Sequence, residues 1–169
     1  PDSGNKDIIS EQVKYLEDLA DAINVTDGAG AKSHMSALAT AAILAQNGIE
    51  PILQFTTRDR NRIAIQGDLL GGWALDIPNI LCLYGDEVKG GDQPDTKEVR
   101  DLDTIGLLKT ANEIKINKMY PSGRKIKNAP EFFIGGADTP FKVNDDFDGS
   151  NLLKKIDAGV EFFQTQYVF

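Results

Sequence analysis

Five short runs of apolar residues, each parted from the next by a stretch of helical periodicity, set the limits on what this chain can fold into. They cover residues 22–26, 51–56, 80–84, 131–134 and 162–169. Strands that alternate with helices of ten or more residues make βα units, and βα units make a parallel sheet, because a parallel neighbour is reached only by a crossover long enough to hold a helix. The runs are short and nearly all apolar, as expected of strands covered on both faces. Helical spacing is read over 10–19, with Ser10 as N-cap and Ile9, Val13, Leu16 and Leu19 as the apolar positions. It is read again over 33–47, closing at Gly48, and over 59–74, 102–118 and 149–158, with a long polar loop at 85–100.

Two α/β architectures accommodate this order, an open doubly wound sheet and a (β/α)8 barrel, and no GxGxxG or Walker pattern marks either. The glycine-rich Asp27-Gly28-Ala29-Gly30 stretch is read as a turn. Polarity gathers just after the predicted strands, at Thr26-Asp27-Gly28, Thr56-Thr57-Arg58-Asp59, Gly85-Asp86-Glu87 and Gly135-Gly136-Ala137-Asp138. Both architectures bind ligands at the C-terminal ends of their strands, so a site is expected among these loops.

At 169 residues the chain is expected to be one domain, and 41% apolar with 26% charged residues is enough for a core and argues against disorder. No run approaches the roughly 18 to 20 apolar residues of a membrane helix, and the start does not resemble a signal peptide. Eighteen basic against twenty-six acidic residues, a formal charge of -8, would repel nucleic acid and anionic membranes, so neither is expected as a partner. The lone Cys82 excludes an internal disulfide and, inside an apolar run, reads as a small buried hydrophobe; the lone His34 argues against a metal site and is given no catalytic role. A start at Pro1 and a stop at Phe169, inside an apolar run, lead us to expect a piece of a longer protein.

Four groups of residues carry candidate chemistry. Asp86, ending an apolar run, either faces a pocket that tunes its carboxylate or caps a loop and pairs with Arg58, Arg60 or Arg62. Those three arginines surround a helix start, where the macrodipole favours anions, so a negative partner is expected. It is either a phosphate or one of Asp59, Asp68 and Asp86. Asp148 to Lys155 joins an N-capping aspartate and a small polar turn to two lysines, suited to a phosphate or else a solvated helix face. In the last run Gln164, Gln166 and Val168 share one face, and an inward glutamine needs partners for its amide, from a heterocycle or from a neighbouring side chain.

Taken together, Gln54-Phe55-Thr56-Thr57-Arg58-Asp59-Arg60-Asn61-Arg62, Asp68-Leu69-Leu70-Gly71, Leu81-Cys82-Leu83-Tyr84-Gly85-Asp86, Asp101-Leu102-Asp103, Lys155-Ile156-Asp157-Ala158-Gly159 and Thr165-Gln166 closely resemble the methylenetetrahydrofolate reductase family. The resemblance runs in order over nearly the whole chain. It implies a single, incomplete (β/α)8 TIM barrel over residues 1–169, holding about the second to sixth βα units, with the first strand before Pro1 and the last two after Phe169. It also implies a flavin, FAD rather than FMN, at the C-terminal face, with NADH or NADPH as possible donor, or a partner electron-transfer protein in its place. The substrate would be methylenetetrahydrofolate, reduced in cytoplasmic one-carbon metabolism, and the chain would be an oligomer or a subunit of a complex.

By that resemblance Asp86 is the catalytic aspartate beside the flavin and the folate, where its charge stabilises the cationic iminium form of the substrate. Gln166 binds the pterin. Thr26, Gln54, Gly85, Asp86, Asp148, Asn151, Lys154 and Lys155 fall at cofactor-binding positions, the lysines at the phosphate end. The chain departs from better-known members at Gln54, Gly135 and Thr139, where they carry a histidine, a tyrosine and a histidine. Those departures motivate an alternative, a folate-binding or corrinoid-associated barrel subunit without redox activity.

Overall fold

The computed structural model describes residues 1–16, 18–139 and 147–166. Strands β1 (Ile23–Val25), β2 (Pro51–Thr56), β3 (Asn79–Leu83), β4 (Phe133–Asp138) and β5 (Phe162–Thr165) form one sheet in chain order, every pair parallel. The sheet is curled into a half-barrel, compatible with part of a (β/α)8 barrel. Pairing in strict chain order is how a barrel grows, whereas a doubly wound sheet reverses direction at its switch point.

Helices α1 (Lys6–Val13), α2 (Ala37–Gln46), α3 (Arg62–Ala74), α4 (Thr104–Asn117) and α5 (Ser150–Asp157) alternate with the strands. Alternate strand residues Leu53, Phe55, Ile80, Cys82 and Ile134 share one core with Leu44, Ile65, Leu69, Leu107, Leu108 and Ile114 of the helices. Trp73 meets Phe132 edge to face at 5.5 Å beside this core. The intervening strand residues Gln54, Leu81, Leu83, Ala137 and Gln164 line a cavity on the opposite, inner face. Burial pushes the Cys82 thiol up to about 12, so the side chain is an inert hydrophobe in this layer.

Helix starts follow side-chain capping. Asn61 Oδ1 accepts from the N–H groups of Ile63 and Ala64 at 3.1 and 3.0 Å, and Asp103 Oδ1 from Gly106 at 2.6 Å. The same rule relocates α1: Asn5 Oδ1 accepts from Asp7 N–H at 3.0 Å, so the helix begins at Lys6 and Ser10, expected as the cap, lies inside it.

The expected fourth strand, 131–134, also shifts, to Phe133–Asp138. Gly135 and Gly136 are strand residues because the neighbouring strand needs the room: a methyl group at Gly135 would overlap the Phe162 ring, which stacks on Phe133 at 4.9 Å. The expected strand 162–169 is observed through Thr165, and residues 167–169 lie outside the described residues. Among the described residues no helix is long and apolar enough to cross a membrane, and no three His, Cys, Asp or Glu are grouped to hold a metal ion.

Candidate active site

The C-terminal ends of all five strands open on one cavity of about 420 Å³ on the concave face. Thr26 and Asp27 reach it from the end of β1, Gln54 and Thr56 from β2, Gly85 and Asp86 from beyond β3, Asp138 and Thr139 from β4, and Gln164 and Gln166 from β5. Asp86 and Gln166, placed together on the family resemblance, thus share one basin. A second cavity of about 400 Å³, at the free edge of β1, is lined by Ile9, Val13, Leu16 and Met35 together with Gln12, Asn24, Thr40 and the Asp2–His34 pair, and shares Asn24 and Thr26 with the first.

The mouth is built around Asp27, a residue whose sequence context signals a turn. Its carboxylate is buried and accepts from Thr56 N–H and Thr56 Oγ1, both at 2.9 Å, and from Arg60 Nη1 at 2.7 Å. Asp27 N–H in turn donates to Gln54 Oε1 at 3.4 Å, so Gln54 steadies the end of β1 while lining the cavity. Arg60 also binds Asp68 at 3.0 Å, and its guanidinium lies over the Phe55 ring at 4.9 Å. Arg58 chelates Asp59, and Arg62 chelates Asp101 through contacts of 2.7 and 2.8 Å. The anionic partners of the three arginines are therefore internal carboxylates. The Arg62 guanidinium and backbone N–H hold the Asp101 carboxyl well below the usual range.

Asp86 is exposed at the rim and pairs with none of these guanidinium groups through its carboxylate. Its Oδ2 accepts from Gly30 N–H at 2.7 Å, and among the described residues Oδ1 makes no hydrogen bond. The main chain around it is gripped by Arg100, which stacks on Tyr84 at 3.8 Å and donates to the carbonyls of Tyr84, Gly85 and Asp86. Glu98 fixes Arg100 in place. Hydrogen bonds from Arg100 and from Val88 N–H draw the Glu98 carboxyl down to about 2.

The residues expected at a phosphate end lie on or just before α5. Asp148 Oδ1 accepts from Ser150 N–H at 2.8 Å, which pulls its carboxyl below the usual range, while Gly149 takes the cap position with φ +66°. Asn151 and Lys154 are exposed. Lys155 Nζ reaches back to the end of β4, donating to Ala137 O at 2.5 Å, with Asp138 Oδ1 3.9 Å away. Lys155 therefore stands beside the cavity wall, while Asp148, ahead of the helix, and Asn151 and Lys154, on it, are outside the cavity lining.

Carboxylates and carboxamides set on the strand ends of a curled parallel sheet place the chain in the class of α/β half-barrels compatible with part of a (β/α)8 barrel, a fold that keeps its sites at the C-terminal mouth. The sequence pattern of the methylenetetrahydrofolate reductase family matches residues 3–169, and the chain belongs to that family. Membership points to a folate substrate and to an oxidoreductase acting on methylenetetrahydrofolate. No curated protein matches the chain.

Proposed function

We propose that this chain supplies the second to sixth βα units of a flavin-dependent (β/α)8 reductase that converts methylenetetrahydrofolate to methyltetrahydrofolate in cytoplasmic one-carbon metabolism. The observation that carries this reading is the convergence of Asp86 and Gln166 on one basin in a member of this family. A flavin suits the donor set. The basin offers carboxamides at Gln54, Gln164 and Gln166, which match the alternating donors and acceptors of a pyrimidine-type ring edge, and Asn24 Oδ1, on the wall it shares with the neighbouring cavity, is a buried acceptor without a partner among the described residues. Such a group, FAD in preference to FMN on the family resemblance, would supply the two-electron carrier between a reduced nicotinamide, NADH or NADPH, and the folate.

The protein's own part is binding and electrostatics. Thr26, Gly85 and Gln54 border the ring-binding floor, and Asp148, Asn151, Lys154 and Lys155 form the side toward a phosphate end. Gln166 presents its carboxamide to the pterin edge. Asp86, anchored through Oδ2, keeps its second oxygen for the substrate, where its charge favours the iminium cation once ligands have displaced water.

Full-length protein purified with its native cofactor should be yellow and should oxidise methyltetrahydrofolate with an artificial electron acceptor. Asp86→Asn should slow folate reduction by about 10²-fold, far more than it slows flavin reduction. Equal slowing of both half-reactions would remove the role given to Asp86. A colourless protein, inert after flavin is added, would overturn the reductase reading in favour of a folate-binding or corrinoid-associated barrel.

A further inference from the structure

We propose that Arg58 is the positioning residue of this site: its buried guanidinium sets where the Asp86 carboxylate stands above the strand ends. The inference rests on the proposed function for the meaning of Asp86, and on geometry alone for the rest.

Arg58 is 4% exposed and sits two residues beyond the end of β2, between the loops that follow β1 and β3. Its Nη1 donates to Gly28 O at 3.1 Å on one side and to Asp86 O at 3.4 Å on the other. Nε and Nη2 are held by Asp59 at 2.9 and 2.8 Å, which fixes the plane of the fork. Two glycines with positive φ make the approach possible. A methyl group at Gly28 (φ +60°) would overlap the guanidinium, and one at Gly85 (φ +87°) would lie 3.1 Å from Arg58 Cβ.

The contacts close into a ring. Arg58 holds the Gly28 carbonyl; two residues on, Gly30 N–H binds the Asp86 carboxylate; the Asp86 carbonyl returns to Arg58. Both ends of Asp86, main chain and side chain, are therefore tied to one buried cation. Arg100 grips the same segment from the other side, yet none of its hydrogen bonds reaches the Gly28–Gly30 loop that orients the carboxylate.

Burying a guanidinium is costly, and an apolar side chain would fill the space without desolvation. What arginine adds is a rigid planar fork with several donors, which the single ammonium of lysine does not reproduce. Displacing a group that faces the reacting atoms by about 1 Å costs about 10²-fold in rate.

The test uses the full protein with its cofactor and two variants, Arg58→Lys, which keeps the charge but loses the fork, and Gly28→Ala, which keeps the arginine but pushes the guanidinium aside. In amide spectra of the wild type the Gly30 proton should show the downfield position and slow solvent exchange of a hydrogen-bonded amide, and Asp86→Ala should abolish both. Both test variants should at least halve that protection, and both should slow folate reduction about tenfold or more relative to flavin reduction. Should Arg58→Lys fail to fold, Gly28→Ala carries the same readouts. Wild-type position and exchange of the Gly30 proton in both variants would overturn the proposal and leave the reductase reading intact. If Asp86→Asn leaves folate reduction unchanged while the Gly30 amide of the two variants differs from wild type, the hold of Arg58 on the segment stands and the catalytic role given to Asp86 falls; a colourless protein that stays inert with added flavin overturns the reductase reading instead.

Discussion

Truncating Asp27 to alanine should destabilise the mouth more than any other change of a single carboxylate there. The side chain is 8% exposed and serves two partners at once, the end of β2 through Thr56 and the guanidinium of Arg60. Removing it leaves the buried Thr56 N–H without an acceptor, a loss of about 1–3 kcal/mol. It also breaks a buried ion pair, for which about 3–5 kcal/mol is usual when one partner is deleted. Arg60 keeps Asp68 at 3.0 Å and Thr56 O at 3.3 Å, so the ion-pair loss falls below that range and the whole effect comes to about 3 kcal/mol. For a domain of this size that is a fall of roughly 6–12 °C in Tm.

The assay is thermal and urea unfolding followed by circular dichroism, with two companions. Asp27→Asn retains an acceptor for Thr56 but no charge, and should cost about half as much. Asp68→Ala removes a carboxylate that is 37% exposed and should cost at most about 1 kcal/mol. An Asp27→Ala loss below about 1 kcal/mol, or an Asp68→Ala loss equal to it, would refute the assignment of Asp27 as the anchor of the β1 and β2 ends.

Three further outcomes are expected. Cys82, buried with its thiol raised to about 12, should resist alkylation at pH 8 in the native protein and react once urea unfolds the chain; rapid native labelling would contradict the packing of β3. Glu98 has its carboxyl drawn from the usual 4.5 to about 2, so its contribution to stability is full above about pH 4.5 and fades as pH falls toward 2. Acid unfolding of Glu98→Gln should accordingly lack that part of the pH dependence, and identical acid profiles would show that the Glu98–Arg100 tie is not formed in solution. Gly135→Ala should cost about 1–3 kcal/mol by forcing the Phe162 ring aside, and Phe162→Leu in the same chain should recover part of it in calorimetry.

The parallel βα order was legible because its signal is local. Pro51–Thr56 coincides with the apolar run read as a strand, and α3 and α4 fall inside their predicted spans with Asn61 and Asp103 as caps. What was missed depends on partners far away in sequence. Gly135 and Gly136 carry a turn's composition but are strand residues because Phe162 and Val160 fill the space over them. Ser10 is an acceptable cap, and Asn5 is the one used.

Within the site, the arginine cluster was legible as an ion-pair network, but of the carboxylates it uses only Asp59 and Asp68 were among the expected partners. Asp27 and Asp101 complete it. The signal for Asp27 is the Asp-Gly that follows the first strand, a pair that reads equally as a turn and as a strand-end site. Arg100 gave no such warning, since its targets lie 14 to 16 residues back in the chain.

The spacing of the strand partners is uneven. Ile23 lies opposite Pro51, Ile52 opposite Asn79 and Gly135 opposite Phe162, offsets of 28, 27 and 27 residues, whereas Asn79 lies opposite Phe133, 54 residues on. Doubling a flexible connection raises its closure entropy by only about 0.6 kcal/mol. The crossover that carries Asp86, Glu98 and Arg100 is thus the one in which extra chain is tolerated almost for nothing. Insertions and deletions there can reshape substrate choice while the strand pairs beneath keep their alignment.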